Sequence, residues 1–277
     1  NEISHCEDIS YISSSKVLDI AKQEFNPTSF SNFTVVTHTR KLGQKYNFAI
    51  RNHLFPNQKS KFVEGDRLMC AYTNYKYSIF NGELLKVDKV FNGPEDRVEK
   101  MLKISPTYVE RKYSKIPIQS DGKMHVWLSF QRLRLEYYDN LGNKEITSCF
   151  VLENSIDSNE LTMDIVENRA LLIDFLMRFK LSKDKYMSDR KKNYLSSFEE
   201  ELAVKNGEIL DRSKDELYNA LVTKYGYALT AHKSQGGEWE NAIVDLDTSF
   251  FDNYSEEYAR WLYTSITRAK KHLYLVN

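Results

Sequence analysis

The polar segment at residues 230–239, TAHKSQGGEW, is dense in hydrogen-bonding groups. Four adjacent side chains in it can donate to phosphate or sugar oxygens: His232, Lys233, Ser234 and Gln235. Gly236 and Gly237 let the backbone approach a ligand closely, and Glu238 can accept a hydrogen bond from a sugar hydroxyl. These residue types predict a loop that binds phosphate or sugar, although a polar loop with a simple Gly-Gly turn has the same composition.

A second segment, YTSITRAKKHLYLV at residues 263–276, contains an arginine that could do chemistry. If residues 261–270 are helical, Thr264, Thr267 and Arg268 lie three or four residues apart on one face. Arg268 could then neutralise the charge that develops on a transferring phosphoryl group. The alternative is a helix end whose basic residues complement the helix dipole.

Short apolar runs rich in β-branched residues indicate the elements that position these two segments. We expect strands at 33–36, 227–229, 242–246 and 273–276, with helices at 42–54 and 256–268. Strands that alternate with helices imply a parallel sheet. A polar loop at the carboxyl end of a strand, as 230–239 would be, is where such sheets bind ligands.

The middle of the chain follows other patterns. Turn signals such as Asn81-Gly82 and Asp121-Gly122 separate expected strands at 67–72, 83–90, 125–128, 132–138 and 145–152, which predicts a small antiparallel β module. From 158 to about 225, apolar residues recur at helical spacing. The charged run at 180–192 within it is either a solvated helical face or a patch that contacts phosphate.

Composition limits the class of protein. The 277 residues hold 39 Lys plus Arg and 39 Asp plus Glu, so any polyanion site must be a local patch. Three widely spaced cysteines indicate neither a disulfide framework nor a structural zinc site, and we predict no metal ligands in the chain. Without a long apolar run we expect no membrane association and a cytoplasmic location. Because the chain begins at Asn1 and ends on an apolar run, we expect a fragment cut at both ends.

The two chemical segments together resemble the superfamily 1 helicases. TAHKSQGGEW is similar to motif V of that superfamily, and LYTSITRAKK at 262–271 is similar to its motif VI. Upstream, THTRKLGQKYNFAIR at 37–51 resembles motif IV of the RecD-like (superfamily 1B) branch through Thr39, Lys41, Asn47 and Arg51. Arg40 departs from the Asn that this branch commonly has there. GDRLM…IFNGELLKV at 65–87 is similar to the same branch.

The resemblance implies a fold and a domain order. The chain would be the second RecA-like, P-loop-NTPase-type motor domain with the UvrD-like C-terminal region. Residues 1–64 and 217–277 would form its parallel sheet, 65–152 an inserted SH3-like antiparallel β module, and 153–216 a helical insert. The branch also implies movement from 5′ to 3′, and we associate the protein with DNA repair.

The resemblance also implies roles for single residues. Arg268 would be the catalytic arginine finger, and the ATP-binding residues would be Gln235, Gly236, Glu238 and Arg268. Residues that bind nucleic acid or couple it to the nucleotide would be Thr39, Asn47, Thr230, His232, Lys233, Ser234, Tyr263 and Thr267. Trp239 could stack on a base, but a Trp that precedes a strand favours core.

Half of the expected ATP site has no counterpart in this sequence. No Gly-x-x-x-x-Gly-Lys-Ser/Thr run occurs, and the single Asp-Glu pair does not follow an apolar strand. We therefore expect the isolated chain to be inactive and the P-loop half, with its Mg²⁺ ligands, to lie upstream of Asn1. The predicted function is the C-terminal motor half of an ATP-dependent DNA helicase, with ATP, single-stranded DNA and the N-terminal RecA-like domain as partners. The alternative is a catalytically inactive helicase-derived module that binds nucleic acid or protein.

Overall fold

The computed structural model describes residues 8–27, 29, 32–108, 116–139, 141–157, 163–246 and 255–277. Cys6 and residues 158–162, where the predicted helical stretch begins, lie outside these ranges. In the described ranges no helix is long and apolar enough to cross a membrane. The same ranges hold no cluster of three or more His, Cys, Asp or Glu side chains that could hold a metal ion.

The described residues form eleven strands and six α-helices. The strands are β1 (Ile9–Ile12), β2 (Phe33–Thr37), β3 (Arg67–Cys70), β4 (Leu84–Val90), β5 (Arg97–Ile104), β6 (Met124–Tyr138), β7 (Lys144–Leu152), β8 (Thr223–Tyr225), β9 (Ala228–Thr230), β10 (Trp239–Asp245) and β11 (Ala269–Val276). The helices are α1 (Val17–Glu24), α2 (Arg40–Leu54), α3 (Asn154–Asp157), α4 (Ile165–Asp189), α5 (Ser197–Lys205) and α6 (Glu256–Ile266).

Five strands form a parallel sheet in the order β1-β11-β10-β2-β9. All five residues of β2, FTVVT, are buried, as expected for a central strand covered on both faces. Helix α2 begins at Arg40 because Thr39 caps it by accepting a hydrogen bond from the Leu42 amide. Strands β2, β10 and β11 confirm the strands predicted at 33–36, 242–246 and 273–276, although their ends differ by a few residues.

A second sheet is antiparallel and has the strand order β5-β6-β4-β3-β8. β5 pairs with residues 124–131 of β6, and β7 pairs with residues 130–138 of the same strand. Two predicted strands, 125–128 and 132–138, are one continuous strand β6 of 15 residues. The two polar residues at the junction, Ser129 and Gln131, stay in the strand because Ser129 bonds to Glu153 and Gln131 bonds to the Phe91 carbonyl. The fold class, a parallel α/β sheet with an antiparallel β module and a helical part, is confirmed.

Three strands, β1, β5 and β8, have no counterpart among the predicted strands. β5, RVEKMLKI, mixes charged and apolar residues without strict alternation, and six of its eight side chains stay exposed or half-buried. β8 lies inside the stretch predicted to be helical, and that prediction is wrong for residues 223–225. They pair with β3 through Leu68–Tyr225 and Cys70–Thr223, so long-range pairing outweighs the local helical spacing.

The helical part packs on the antiparallel sheet. α4 and α5 each begin with a capping box, Asp164 with Glu167 and Ser196 with Glu199. Val166 and Ala170 of α4 are buried in the same core as β6. In the charged run at 180–192, basic residues form ion pairs with glutamates: Lys183–Glu200, Arg190–Glu208 and Lys192–Glu199. Ion pairs of this kind are what a solvated helical face requires.

A buried polar network joins the two sheets. Arg51 of α2 donates from Nε to Asp66 Oδ1 at 3.2 Å, and the Tyr227 hydroxyl donates to the same carboxylate oxygen at 2.9 Å. Arg67 of β3 donates to the Phe33 carbonyl of β2 at 2.6 Å. Burial raises the pKa of Asp66 to about 6, against the opposing effect of the Arg51 charge. The network fixes α2, β2 and β3 relative to one another. The division of the chain into the four predicted segments, 1–64, 65–152, 153–216 and 217–277, stays a prediction.

Candidate functional site: a loop that crosses the parallel sheet

The 230–239 segment runs along the whole length of the parallel sheet. Thr230 pairs with Thr37 at the carboxyl end of β2, whereas Asn241 of β10 pairs with Phe33 at the amino end of β2. Trp239 lies two residues before Asn241. The ends of the segment are therefore separated by six strand positions, or about 20 Å along the strands. One short loop thus connects two opposite edges of the sheet.

Turns and a buried hydroxyl hold this loop. The Lys233 and Ser234 amides donate to the Thr230 carbonyl at 2.9 and 3.0 Å. The buried Ser234 hydroxyl donates to the Ala231 carbonyl at 2.8 Å. Gly236 adopts φ +81°, which an L side chain rarely tolerates. The turn chemistry therefore sets the loop path.

The second glycine of the pair is required by packing. A Cβ on Gly237 would lie 2.4 Å from the ring of Trp239. That ring is buried with Met69 and Leu229, so the interpretation of Trp239 as core is confirmed. Together the two glycines allow the loop to close over this ring.

At the carboxyl edge the loop presents an imidazole and an ammonium group. His232 is exposed, and Lys233 is half-buried with its ammonium hydrogen-bonded to the side-chain oxygen of Asn81, in the turn before β4. Burial lowers the pKa of Lys233, and the nearby positive charge of Arg40 lowers it further. Lys233 and Arg40 therefore lie close together at this edge.

The motif IV-like residues lie beside the same edge. Thr39 is used as the cap of α2, as described above. Asn47 is 8% exposed. Its amide donates to the Ala228 carbonyl at 2.9 Å, and its oxygen accepts from the Tyr227 and Ala228 amides at 2.8 Å. Asn47 thus anchors the backbone that leads into β9, and a direct contact with nucleic acid stays a prediction.

A cleft of about 360 Å³ opens between the two sheets at this edge. Residues of α2, α3, β3, β8, β9 and the loop line it. Sequence patterns missed several of its members: His38, Phe48, Ile156, Lys224 and Tyr225. Phe48 has the apolar character of a helix core residue, and Lys224 and Tyr225 fell in a stretch predicted to be helical. Arg40 also lines the cleft. Its departure from the Asn that the RecD-like branch commonly has there was the one feature of the sequence that pointed to this place.

At the opposite, amino edge the loop meets Arg268. The predicted helix 256–268 ends at Ile266, and Arg268 lies in the turn before β11. The idea that Thr267 and Arg268 share a helical face with Thr264 is therefore wrong, because the chain turns there to enter the sheet. The turn still brings the three together: Arg268 donates to the Thr264 carbonyl at 2.8 Å and to the Thr267 hydroxyl at 2.9 Å.

The Arg268 guanidinium also holds the loop itself. Its Nη1 donates to the Ser234 carbonyl at 3.3 Å and the Gly237 carbonyl at 3.1 Å. With Nε on Thr264 and one Nη2 hydrogen on Thr267, four of the five N–H donors are matched. The loop and the 262–271 segment therefore form one hydrogen-bonded unit.

The remaining predicted residues surround this unit on the surface. Gln235, Gly236 and Glu238 are exposed, and Glu238 Oε2 lies 3.2 Å from the Lys270 ammonium. Tyr263 is 69% exposed. Gln235 and Thr264 also line a second cleft of about 400 Å³ between the loop and α6. The roles of these residues stay predictions.

Comparison with known proteins agrees with this arrangement. Residues 225–276 match the model of the UvrD-like helicase C-terminal domain family. This matched range contains both the 230–239 loop and Arg268. The resemblance to superfamily 1 helicases is therefore confirmed, with residues 225–276 as its UvrD-like C-terminal segment. The RecD-like branch, the polarity and the association with DNA repair stay predictions.

The chain is also similar to one curated relative and to solved structures. An uncharacterized protein of Methanocaldococcus jannaschii is 45% identical over 53 residues, which are 19% of this chain and 4% of that protein. The crystal structure of Pif1 helicase from Candida albicans has a TM-score of 0.37 and 12% identity, covering 95% of this chain and 49% of that one. Pif1 helicase from Bacteroides in complex with ADP-AlF3 and ssDNA has a TM-score of 0.33 and 10% identity, covering 95% and 45%. The chain thus spans about half the length of these structures.

Proposed function

We propose that this chain is the second motor domain of an ATP-dependent DNA helicase. The observation that carries the proposal is the loop at 230–239, which links the basic carboxyl edge of the sheet to the edge where Arg268 lies. A motor needs such a link, because hydrolysis at one site has to change the grip on a strand at another. The family match over 225–276 supports it.

The nucleotide would lie at the Arg268 edge, between this domain and a P-loop domain of the same protein. Gln235, Gly236, Glu238 and Arg268 would be this chain's share of the site. The residues fit that role: no atom lies within 4 Å of where a Cβ on Gly236 would stand, so the backbone is open to a ligand. Bound ATP with Mg²⁺ supplies the phosphoryl group, and the P-loop domain would supply the phosphate cradle and the Mg²⁺ ligands.

Arg268 would couple the two edges by exchanging partners. Its guanidinium holds the carbonyls of Ser234 and Gly237 and has one N–H donor left. Arginine–phosphate pairs are frequently bidentate. We propose that the second donor comes from Nη1, so that binding the phosphoryl group releases one or both loop carbonyls. The loop would then be free to shift His232 and Lys233 at the other edge.

The strand would lie across the carboxyl edge, where Lys233 and Arg40 place positive charge beside His232. Cationic side chains of this kind bind phosphates with a steep salt dependence. Single-stranded DNA is the strand we propose, with movement from 5′ to 3′. The support for it is the charge of this edge together with the family match.

Arg268→Ala in the intact protein tests the proposal. We expect DNA-stimulated ATP hydrolysis to fall by about 10³–10⁵-fold, the magnitude of an arginine finger, while single-stranded DNA is still bound. Arg134→Ala is a matched control, since Arg134 pairs with Asp88 on the antiparallel sheet. The isolated chain should not turn over ATP. Near-normal hydrolysis by the Arg268 variant would remove this residue from the site, and an intact protein without a P-loop would favour the inactive binding module.

A further inference from the structure

The cleft at the junction of the two sheets has the size and position of a ligand site. Its volume of about 360 Å³ falls within the range of about 300–1,000 Å³ that is typical of small-molecule pockets. It lies between β9, the last strand of the parallel sheet, and the β3–β8 pair of the antiparallel sheet. Such junctions between structural units are preferred places for ligand sites.

The lining combines an apolar floor with basic side chains. The floor is formed by apolar and aromatic residues: Phe48, Met69, Ile156, Tyr225, Ala228 and Leu229. The basic members are His38, Arg40, Lys224, His232 and Lys233. No Asp or Glu lines this cleft in the described part of the chain. A planar apolar group attached to an anion is complementary to both features.

Two of the floor residues are rings in contact. Phe48 and Tyr225 pack edge to face, with ring centroids 5.5 Å apart. Tyr225 is fixed by the bond from its hydroxyl to the Lys61 carbonyl at 2.7 Å. Phe48 is half-buried on α2 and faces the cleft. Tyr225 is buried, and the Arg51 guanidinium lies over its ring at 5.0 Å from the ring centre. Phe48 is therefore the ring of the pair on which a base can stack.

No carboxylate among the described residues that line the cleft balances the charges of Lys233 and Arg40. Lys233 is half-buried, and its ammonium bonds to a neutral amide oxygen of Asn81 rather than to a carboxylate. Arg40 adds a like charge nearby, which is one reason why the pKa of Lys233 is lowered. A phosphate placed between Arg40 and Lys233 would relieve this repulsion.

We propose that this cleft takes one nucleotide of a single strand, with its base on Phe48 and its phosphate on Arg40 and Lys233. The inference rests on the proposed function and adds to it the site of one base. The strand, rather than a free nucleotide, is the occupant because Lys233 and His232 belong to the loop that links this edge to Arg268. A base held in this cleft would therefore move when the loop moves.

Binding of three probes to the chain tests the inference. The probes are oligothymidylate of about 12 nucleotides, within the site sizes of single-strand binders, an abasic strand of the same length, and free thymidine monophosphate. Phe48→Leu keeps the apolar floor but removes the ring. We expect it to weaken oligothymidylate binding by about 5- to 150-fold, the range for one stacked base, and to leave the abasic strand unchanged. Phe48→Tyr keeps an aromatic ring and should bind oligothymidylate as tightly as the unaltered chain.

Controls separate the cleft from the fold and from the proposed function. Trp127→Leu removes a ring that is 62% exposed on the antiparallel sheet and should change nothing. Should Phe48→Leu not fold, crosslinking of a 5-iodouracil strand to Phe48 in the unaltered chain tests the same contact. Equal affinity for both strands, or no crosslink at Phe48, overturns the inference and leaves the helicase proposal standing. Failure to bind either strand overturns both, and free nucleotide binding as tight as the strand overturns the choice of occupant.

Discussion

Replacing Asn47 by alanine should destabilise the fold rather than remove a contact with nucleic acid. The Asn47 side chain bonds to three backbone groups, the Tyr227 amide, the Ala228 amide and the Ala228 carbonyl. These groups lead directly into β9, the strand from which the 230–239 loop departs. Without the side chain they lose their partners while remaining close to the core.

The magnitude follows from the number of bonds and from the position of the cleft. Leaving one buried backbone group without its partner costs about 1–3 kcal/mol. Asn47 lines the cleft between the sheets, so water can reach part of the site and the lower figure applies. Three groups then give a loss of about 3 kcal/mol. A typical domain has about 5–15 kcal/mol of stability in total, so the variant should fold but unfold at much lower urea.

Urea titration of the chain measures this difference, read as a shift of the midpoint at constant slope. Asn52→Ala is the matched control, because Asn52 lies on the same helix and is exposed. Oligothymidylate affinity is measured at low urea, where both variants are folded. A loss of less than about 1 kcal/mol combined with abolished binding would refute the reasoning and make Asn47 a direct nucleic-acid contact.

Two further predictions concern a buried acid and the glycine pair. Because the pKa of Asp66 rises from 3.8 to about 6 on folding, its contribution to stability is fully present below pH 3.8 and is lost as pH rises to about 6. We compare the unfolding free energies of the unaltered chain and of Asp66→Asn by urea titration at pH 3.8 and at about pH 6. The unaltered chain should lose about 3 kcal/mol relative to the variant between these two pH values. A difference that stays constant or grows with pH would contradict the raised pKa of Asp66. Gly237→Ala forces a Cβ against the Trp239 ring and should cost about 1–3 kcal/mol with a shift in tryptophan emission. In Gly236→Ala the new Cβ meets no atom, but the positive φ becomes strained, at a cost of about 1–2 kcal/mol. Equal shifts of tryptophan emission in the two variants would argue against a packing role for Gly237.

The sequence by itself determined the parts that depend on local chemistry. The β-branched run of β2 requires burial, and its FTVVT residues could be recognised as a central strand. The residue types of TAHKSQGGEW and its spacing from Arg268 identified the superfamily. A motif of this kind is contiguous in the chain and can be recognised without knowledge of the fold. Trp239 could be assigned to the core because an aromatic residue entering a strand has few other places to pack.

Only the tertiary structure decided which groups meet. β5 and β8 form because distant strands pair with them, an energy that no local pattern contains. The fold brings the 227–228 backbone against Asn47, a contact that the sequence around Asn47 does not indicate. The cleft draws its lining from both sheets and from α2 and α3, and Arg268 reaches the loop carbonyls because β11 begins beside β10. Contacts between residues far apart in the chain depend on the packing of whole elements, and local residue order does not encode them.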